Sequence, residues 1–342
     1  MDLTKKHNDN FDFIRLFAAS MVIISHTLGD KIFYDPLQLF TGYMSMGTFG
    51  VFIFFLISGY LITMNLQKGS NLIKYYNNRF LRIFPALIVV ILFTIFILGP
   101  VFTNLSLADY FLNPDTYKYF FNLTLIKLHY TLPGVFLHNG IETKVNPPLW
   151  TLVFEFMMYI LISVFAVLGF LQKEKKYFWI YVLCCLAVMS VYFFATISID
   201  LFFIKISVAG FIEFFSYFFL GSLYFFFRQK IKIEWWMVLI LGVAWYFSFE
   251  TVFFKIVNLF FIASLVFYVA FLKVKIGNFI TRHGDFSYGM YLYGSISSNI
   301  ILHTISDYLN PAAQVILSLL LTIPFAIASW YLIESRALKY KK

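Results

Sequence analysis

One arginine and one histidine stand in a largely apolar run, NFDFIRLFAASMVIISHTLGD at residues 10–30: Arg15 near its start and His26 eleven places later. At 3.6 residues per turn this spacing is almost three turns, so on a helix both side chains share a face, roughly 16 Å apart. An ionisable group inside a hydrophobic span is costly and marks a functional site by default. The competing reading of His26 is a ring that merely hydrogen-bonds a neighbouring helix. A second buried polar residue, Glu155 in LWTLVFEFMMY, favours chemistry. If its span enters at Pro148 from the outside, Glu155 lies about seven residues, roughly 10 Å, inside that boundary. His26 lies roughly 16 Å from the opposite boundary, so in a core of roughly 30 Å the two are expected at similar depth. A carboxylate beside an imidazole fixes its tautomer and raises its basicity, as base and orienter pairs require.

Arg79-Phe80-Leu81-Arg82 places two guanidiniums on one helix face at the expected start of the third span. Such forks suit phosphate oxygens, although basic residues at a span end also serve as plain anchors. Arg15 faces the same boundary and has Asp12 three residues earlier for an ion pair. Arg15, Arg79 and Arg82 together would form a cationic mouth leading towards His26. Weaker signals follow. Ser58 and Gly59 in GVFIFFLISGYLI suit close helix packing. Glu213 falls at membrane depth with no evident partner, and Glu334 is expected to meet a basic residue. His129 and His138 read as loop residues, and His303 as structural. Cys184 and Cys185 are adjacent in an apolar run, which supports neither a disulfide framework nor a metal site.

Positioning these residues is the task of a very apolar chain. Of 342 residues, 61% are hydrophobic, 22% aromatic and only 13% charged, which points to an all-α, polytopic integral membrane protein. Ten spans are expected, at approximately 11–30, 47–66, 82–103, 148–171, 177–197, 206–227, 235–250, 256–273, 286–306 and 312–334. They form a single domain over residues 1–342, with no internal repeat, no cleavable leader and no appended soluble domain. With ten spans, 20 of the 26 Lys and Arg residues fall on the side of the termini. The positive-inside rule then places both termini in the cytoplasm and accounts for the net charge of +9 without nucleic acid. The longest segment between spans, 104–147, falls outside and could cap an outward-facing pocket.

The chain resembles the membrane acyltransferase 3 family. The resemblance rests on Arg15 and His26 in an Arg-x10-His arrangement, then GVFIFFLISGYLI, RFLRIFPAL, LWTLVFEFMMY, FSYGMYLYG and SWYLIE, in family order from residue 10 to residue 334. It implies a ten-helix protein of the bacterial inner membrane. Such a protein takes an acyl group, usually acetyl from acetyl-CoA at the cytoplasmic face, and places it on a hydroxyl of a surface polysaccharide or its lipid-linked precursor. Carried to matching positions, His26 is the catalytic histidine, acting as general base or as a covalent acyl relay, Arg15 its motif partner, and Arg79 and Arg82 the basic pair near the donor. Trp150 and Glu155 form the W-x4-E site. Tyr159, Ser58 and Tyr288 are substrate-site candidates. Family members often carry a histidine after the SYxxYL motif, whereas this chain reads Leu292-Tyr293-Gly294. The expected partners are acyl-CoA, a glycan or lipid-linked sugar acceptor and membrane lipid, with no metal and no nucleic acid. A transporter of an acyl-sugar or polysaccharide precursor is the alternative. Transporters commonly show broken helices in paired repeats, and Pro85, Pro324 and Gly289 form no matched pair.

Overall fold

The computed structural model describes residues 10–29, 35–67, 71–138, 141–172, 177–194, 200–201, 206–274 and 276–341. Among the lysines that set the expected sidedness, Lys5, Lys6, Lys31, Lys68, Lys173, Lys175, Lys176, Lys205, Lys275 and Lys342 lie outside these residues, as do the ends of the spans expected to reach 30 and 197.

The long apolar runs form helices, because a helix satisfies its own backbone groups where no water can. We label them α1 Phe11–Leu28, α2 Met46–Gln67, α3 Leu72–Phe93, α4 Leu149–Val167, α5 Phe178–Phe194, α6 Val208–Phe227, α7 Trp235–Phe247, α8 Phe254–Ala270, α9 Ser287–Thr304 and α10 Pro311–Ser329. The fold is all-α, its described strands limited to two-residue hairpin arms such as Leu137–His138 with Ile141–Glu142. Among the described residues, six segments are long and apolar enough to cross a bilayer: α1, α2, Leu72–Phe102, α4, Ala209–Phe227 and Pro311–Leu338. Three more apolar helices, in α5, α7 and α8, are shorter.

Two helices organise the interior. Every residue of α9 from Ser287 to Ser298 is buried, and α9 lies against α1 and α10. The second, α2, packs between α1 and α6. Gly59 of α2 faces the Phe218 carbonyl, and Gly221 of α6 faces the Leu56 carbonyl. A side chain at either position would collide with backbone, so the glycines expected to allow close packing do so here. Polar contacts add to the fit: the Thr27 and Ser298 hydroxyls share a 2.8 Å hydrogen bond between α1 and α9.

Three departures from the expected spans matter for the site. Helix α3 begins at Leu72, ten residues before the expected span, because the Asn71 side chain accepts from the Ile73 N–H and caps it there. Arg79 and Arg82 therefore lie two turns inside a helix and not at its start. Beyond α3 and α10 the chain continues as π-helix, at Thr94–Leu98 and Trp330–Glu334. Such wide turns free a carbonyl, and Tyr110 donates its hydroxyl to that of Ile95 at 2.9 Å. The third departure is the 104–147 segment, whose end is drawn into the bundle. Asn146 Nδ2 donates to the Leu292 carbonyl at 2.9 Å, within the first half of α9, and Asn299 Nδ2 donates to the Lys144 and Val145 carbonyls.

Candidate functional site

Helices α1, α2, α3, α4 and α9 enclose a cavity of about 100 Å³. Arg15, Ser58, Arg79, Arg82, Glu155, Tyr159 and Tyr288 all line it. Seven of the nine residues singled out in the sequence thus converge, from five different helices. Trp150 and His26 do not line it. The Trp150 ring meets Phe154 edge-on and Phe214 at a tilt, both at 5.4 Å between centroids, and so serves the α4 and α6 packing.

The cationic end is held by one carboxylate. Arg82 Nη2 donates to Asp285 Oδ2 at 2.7 Å, and Arg15 Nη2 approaches the same oxygen at 3.4 Å. Arg15 also pairs with Asp12, as its spacing predicted. Glu334 Oε2 stands 3.8 Å from Arg82 Nη1, and its Oε1 accepts from Ser329 at 2.8 Å. The π-turn at Trp330–Glu334 presents this expected partner to α3. Burial acts to raise the Asp285 carboxyl; the Arg15 and Arg82 guanidiniums, helped by Ser287, overcome it and hold the group well below the usual carboxylate range. Arg79 is different. Among the described residues it has no carboxylate partner, its guanidinium lies 5.7 Å from the Tyr159 ring centre, and its Nε is buried without a hydrogen bond. The Arg15 Nε is buried unpaired as well. Both arginines line the cavity, and guanidinium forks there suit phosphate oxygens.

Apart from the arginines and Glu155 the lining is uncharged and largely apolar, with Val51, Phe54, Phe55, Leu61 and Leu152 set among a few hydroxyls. Ser58 donates to Glu155 Oε1 at 3.2 Å, and the Tyr159 hydroxyl bonds the same oxygen. Tyr159 is fixed in turn by its own carbonyl, which accepts from Tyr75 at 3.0 Å. Tyr288 donates to the Ile83 carbonyl at 2.9 Å and lies under Arg82. At the far end Tyr291 donates to the Pro148 carbonyl at 2.7 Å, shares a hydrogen bond with Thr151, and meets Phe54 edge-on at 5.6 Å.

The structure does not bring Glu155 to His26. Gly50 of α2 packs on the Ala18 carbonyl and Gly47 on Ser25, so α2 runs antiparallel to α1. Ser58, eight residues further along α2, lies roughly 12 Å deeper, level with Asp12 and Arg15. Its partner Glu155 shares that level, while His26 is roughly 16 Å away along α1. The cause is the inward pull on the chain before α4. The depth match assumed that Pro148 lies at a membrane boundary, whereas its carbonyl is bonded by Tyr291 within α9. Seven further residues carry Glu155 to the arginines. His26 itself is half-buried in the last turn of α1. It lies between Val22, which faces Gly50 of α2, and Ile23, which faces Gly294 of α9. It thus occupies the same α1 face as Arg15, past the Phe54 and Tyr291 rings.

Outside the cavity, Glu213 has a partner after all: the Tyr192 hydroxyl donates to it at 3.1 Å. His303 packs its ring against Phe102 and Phe136, in keeping with a structural role. Asp285, Thr151 and Tyr291 were missed from the sequence. Asp285 left a usable signal, an acid beside an arginine-rich membrane boundary, just before the FSYGMYLYG stretch.

Fold and cavity define a multi-pass helical membrane protein with a buried cationic pocket. The chain belongs to the acyltransferase 3 family: the match to its Acyltransferase domain runs over residues 8–334. It is 31% identical over 159 residues to the O-acetyl transferase of Shigella phage Sf6, covering 46% of each chain. It is 43% identical over 84 residues to Nodulation protein 10 of Rhizobium leguminosarum bv. viciae, covering 24% of this chain and 23% of that one. The chain thus spans less than half the length of these curated relatives. No solved structure matches it.

Proposed function

We propose that this protein is an O-acyltransferase of the bacterial inner membrane that moves acetyl from cytoplasmic acetyl-CoA to a hydroxyl of a surface polysaccharide or its lipid-linked sugar precursor. Family membership supports acyl transfer, and the name of the phage relative supports an oxygen acceptor and acetyl. The observation that carries the reading is the cavity, with Arg15, Arg79 and Arg82 at one end and a largely apolar wall bearing Glu155 and a few hydroxyls; His26 lies outside it, on the helix face that carries Arg15. In this reading the end of the bundle with Arg15, Arg79 and Arg82 faces the cytoplasm.

Bound acyl-CoA would supply a thioester carbonyl open to attack by a hydroxyl. The protein's own groups do the rest. The arginine end neutralises phosphate charge and fixes the donor, so that a long apolar-walled arm lies along α1. Ser58, Tyr159 and Tyr288 offer hydroxyls along that path, and Glu155 holds Ser58 and Tyr159 in place. At the other end His26 takes the proton of the acceptor hydroxyl as that oxygen bonds the thioester carbonyl carbon, then returns it to the CoA thiolate released as the C–S bond breaks; general-base catalysis typically contributes 10²–10⁴-fold. Glu155 belongs to the donor cavity in this scheme and does not orient His26.

The test is chemical. Purified protein in detergent, given acetyl-CoA and the glycan of a strain lacking the gene, should release CoA and leave an ester detectable by mass and NMR. A transporter of acyl-sugars would release no CoA, and that result would refute the proposal.

A further inference from the structure

The cavity stops short of His26. It is lined from α1 by Arg15, and among the described residues no other α1 side chain lines it. Its far end is formed by Val51 and Phe54 of α2, Thr151 of α4 and Tyr291 of α9. Two of these are rings in contact: Phe54 and Tyr291 meet edge-on, with 5.6 Å between centroids and 78° between planes.

The Phe54 ring also packs against the buried cluster of Ala19 and Ile23 from α1 with Met290 and Ala326. Ala19 is one turn past Arg15 on the same helix face, and His26 lies two turns further along that face. On the antiparallel α2, Phe54 is one turn nearer the His26 end than Ser58. Its side chain leans further that way, towards the start of its own helix. The pair therefore stands across the line from the arginines to His26. The two rings are held differently. Tyr291 is buried, and its hydroxyl is fixed by the Pro148 carbonyl at 2.7 Å and by Thr151. Phe54 is half-buried and held by packing, with no directional anchor, so it is the side that swings.

Resting on the transfer reading above, we propose that Phe54, set against Tyr291, is the specificity-determining residue for the acyl group. The acyl group leads the donor arm through the gap between the two rings, so the pair filters by cross-section. An acetyl group passes, and an acyl group branched at the carbon next to its carbonyl is excluded. The arginine end holds every acyl-CoA alike and contributes nothing to this choice.

The experiment measures kcat/KM for acetyl-CoA and isobutyryl-CoA with the full-length protein in detergent and the glycan of a strain lacking the gene. Wild type should prefer acetyl-CoA by at least about tenfold, the lower value for one methylene against a packed wall. Phe54→Ala should bring the two donors to within about threefold, and Phe54→Leu should move the ratio the same way by less. The control is Phe55→Ala, which also enlarges the cavity but removes a ring stacked on Phe214 of α6 at 4.8 Å. It should keep the wild-type ratio. CoA itself, which has no acyl group, should bind Phe54→Ala as it binds wild type, and size-exclusion profiles establish that the variants fold. A wild-type donor ratio in Phe54→Leu or in folded Phe54→Ala overturns the proposal, as does equal relaxation by Phe55→Ala. Wild type that releases no CoA from either donor fails at the transfer reading, and this inference falls with it.

Discussion

At the scale of single residues, Asp285 decides the geometry of the cationic end, because one carboxylate holds arginines from two helices. Its side chain is 12% exposed and that of Arg82 17%, so most of the desolvation penalty applies once the partner is lost. Asp285→Asn should therefore destabilise the protein by about 3 kcal/mol, the low end for breaking a buried pair, read as a lowered melting temperature in detergent. The pH sign follows from the depressed carboxyl. Its contribution is present above the ordinary value of 3.8 and is lost as pH falls below it, so wild type and variant should converge in acid.

At the scale of elements, helix contacts place the cavity wall, and glycine sets the closest of them. Gly59→Leu would force a side chain against the Phe218 carbonyl and separate α2 from α6. The expected outcome is loss of monodisperse protein on size-exclusion chromatography, with Ser58 and Glu155 displaced as a consequence. Most of this level was legible in the sequence. Apolar runs announced the helices, the i, i+3 arginines announced a shared face, and seven of the nine chosen residues do line one cavity. What failed was depth. The entry point of α4 depends on Asn146 reaching a carbonyl 146 residues away, and no local pattern encodes such a contact. The start of α3 failed for a smaller reason: a capping asparagine outweighed the hydropathy boundary.

At the scale of the whole molecule, the proposed account is directional: charge at one end, His26 near the other, and a cavity pointing between them. Sidedness is checked with single cysteines in a background where Cys184 and Cys185 are replaced. An impermeant maleimide added to intact cells should label Ile126→Cys in the 104–147 segment and leave Tyr340→Cys unlabelled until the membrane is opened. The reverse pattern would place the arginines on the wrong side for a cytoplasmic donor. The central claim is that His26 performs the transfer while the arginine end holds the donor. The most direct measurement compares acetyl transfer and CoA binding for wild type and His26→Ala, purified side by side. The account predicts at least a hundredfold loss of ester formation with CoA affinity unchanged; near wild-type transfer by His26→Ala would contradict it.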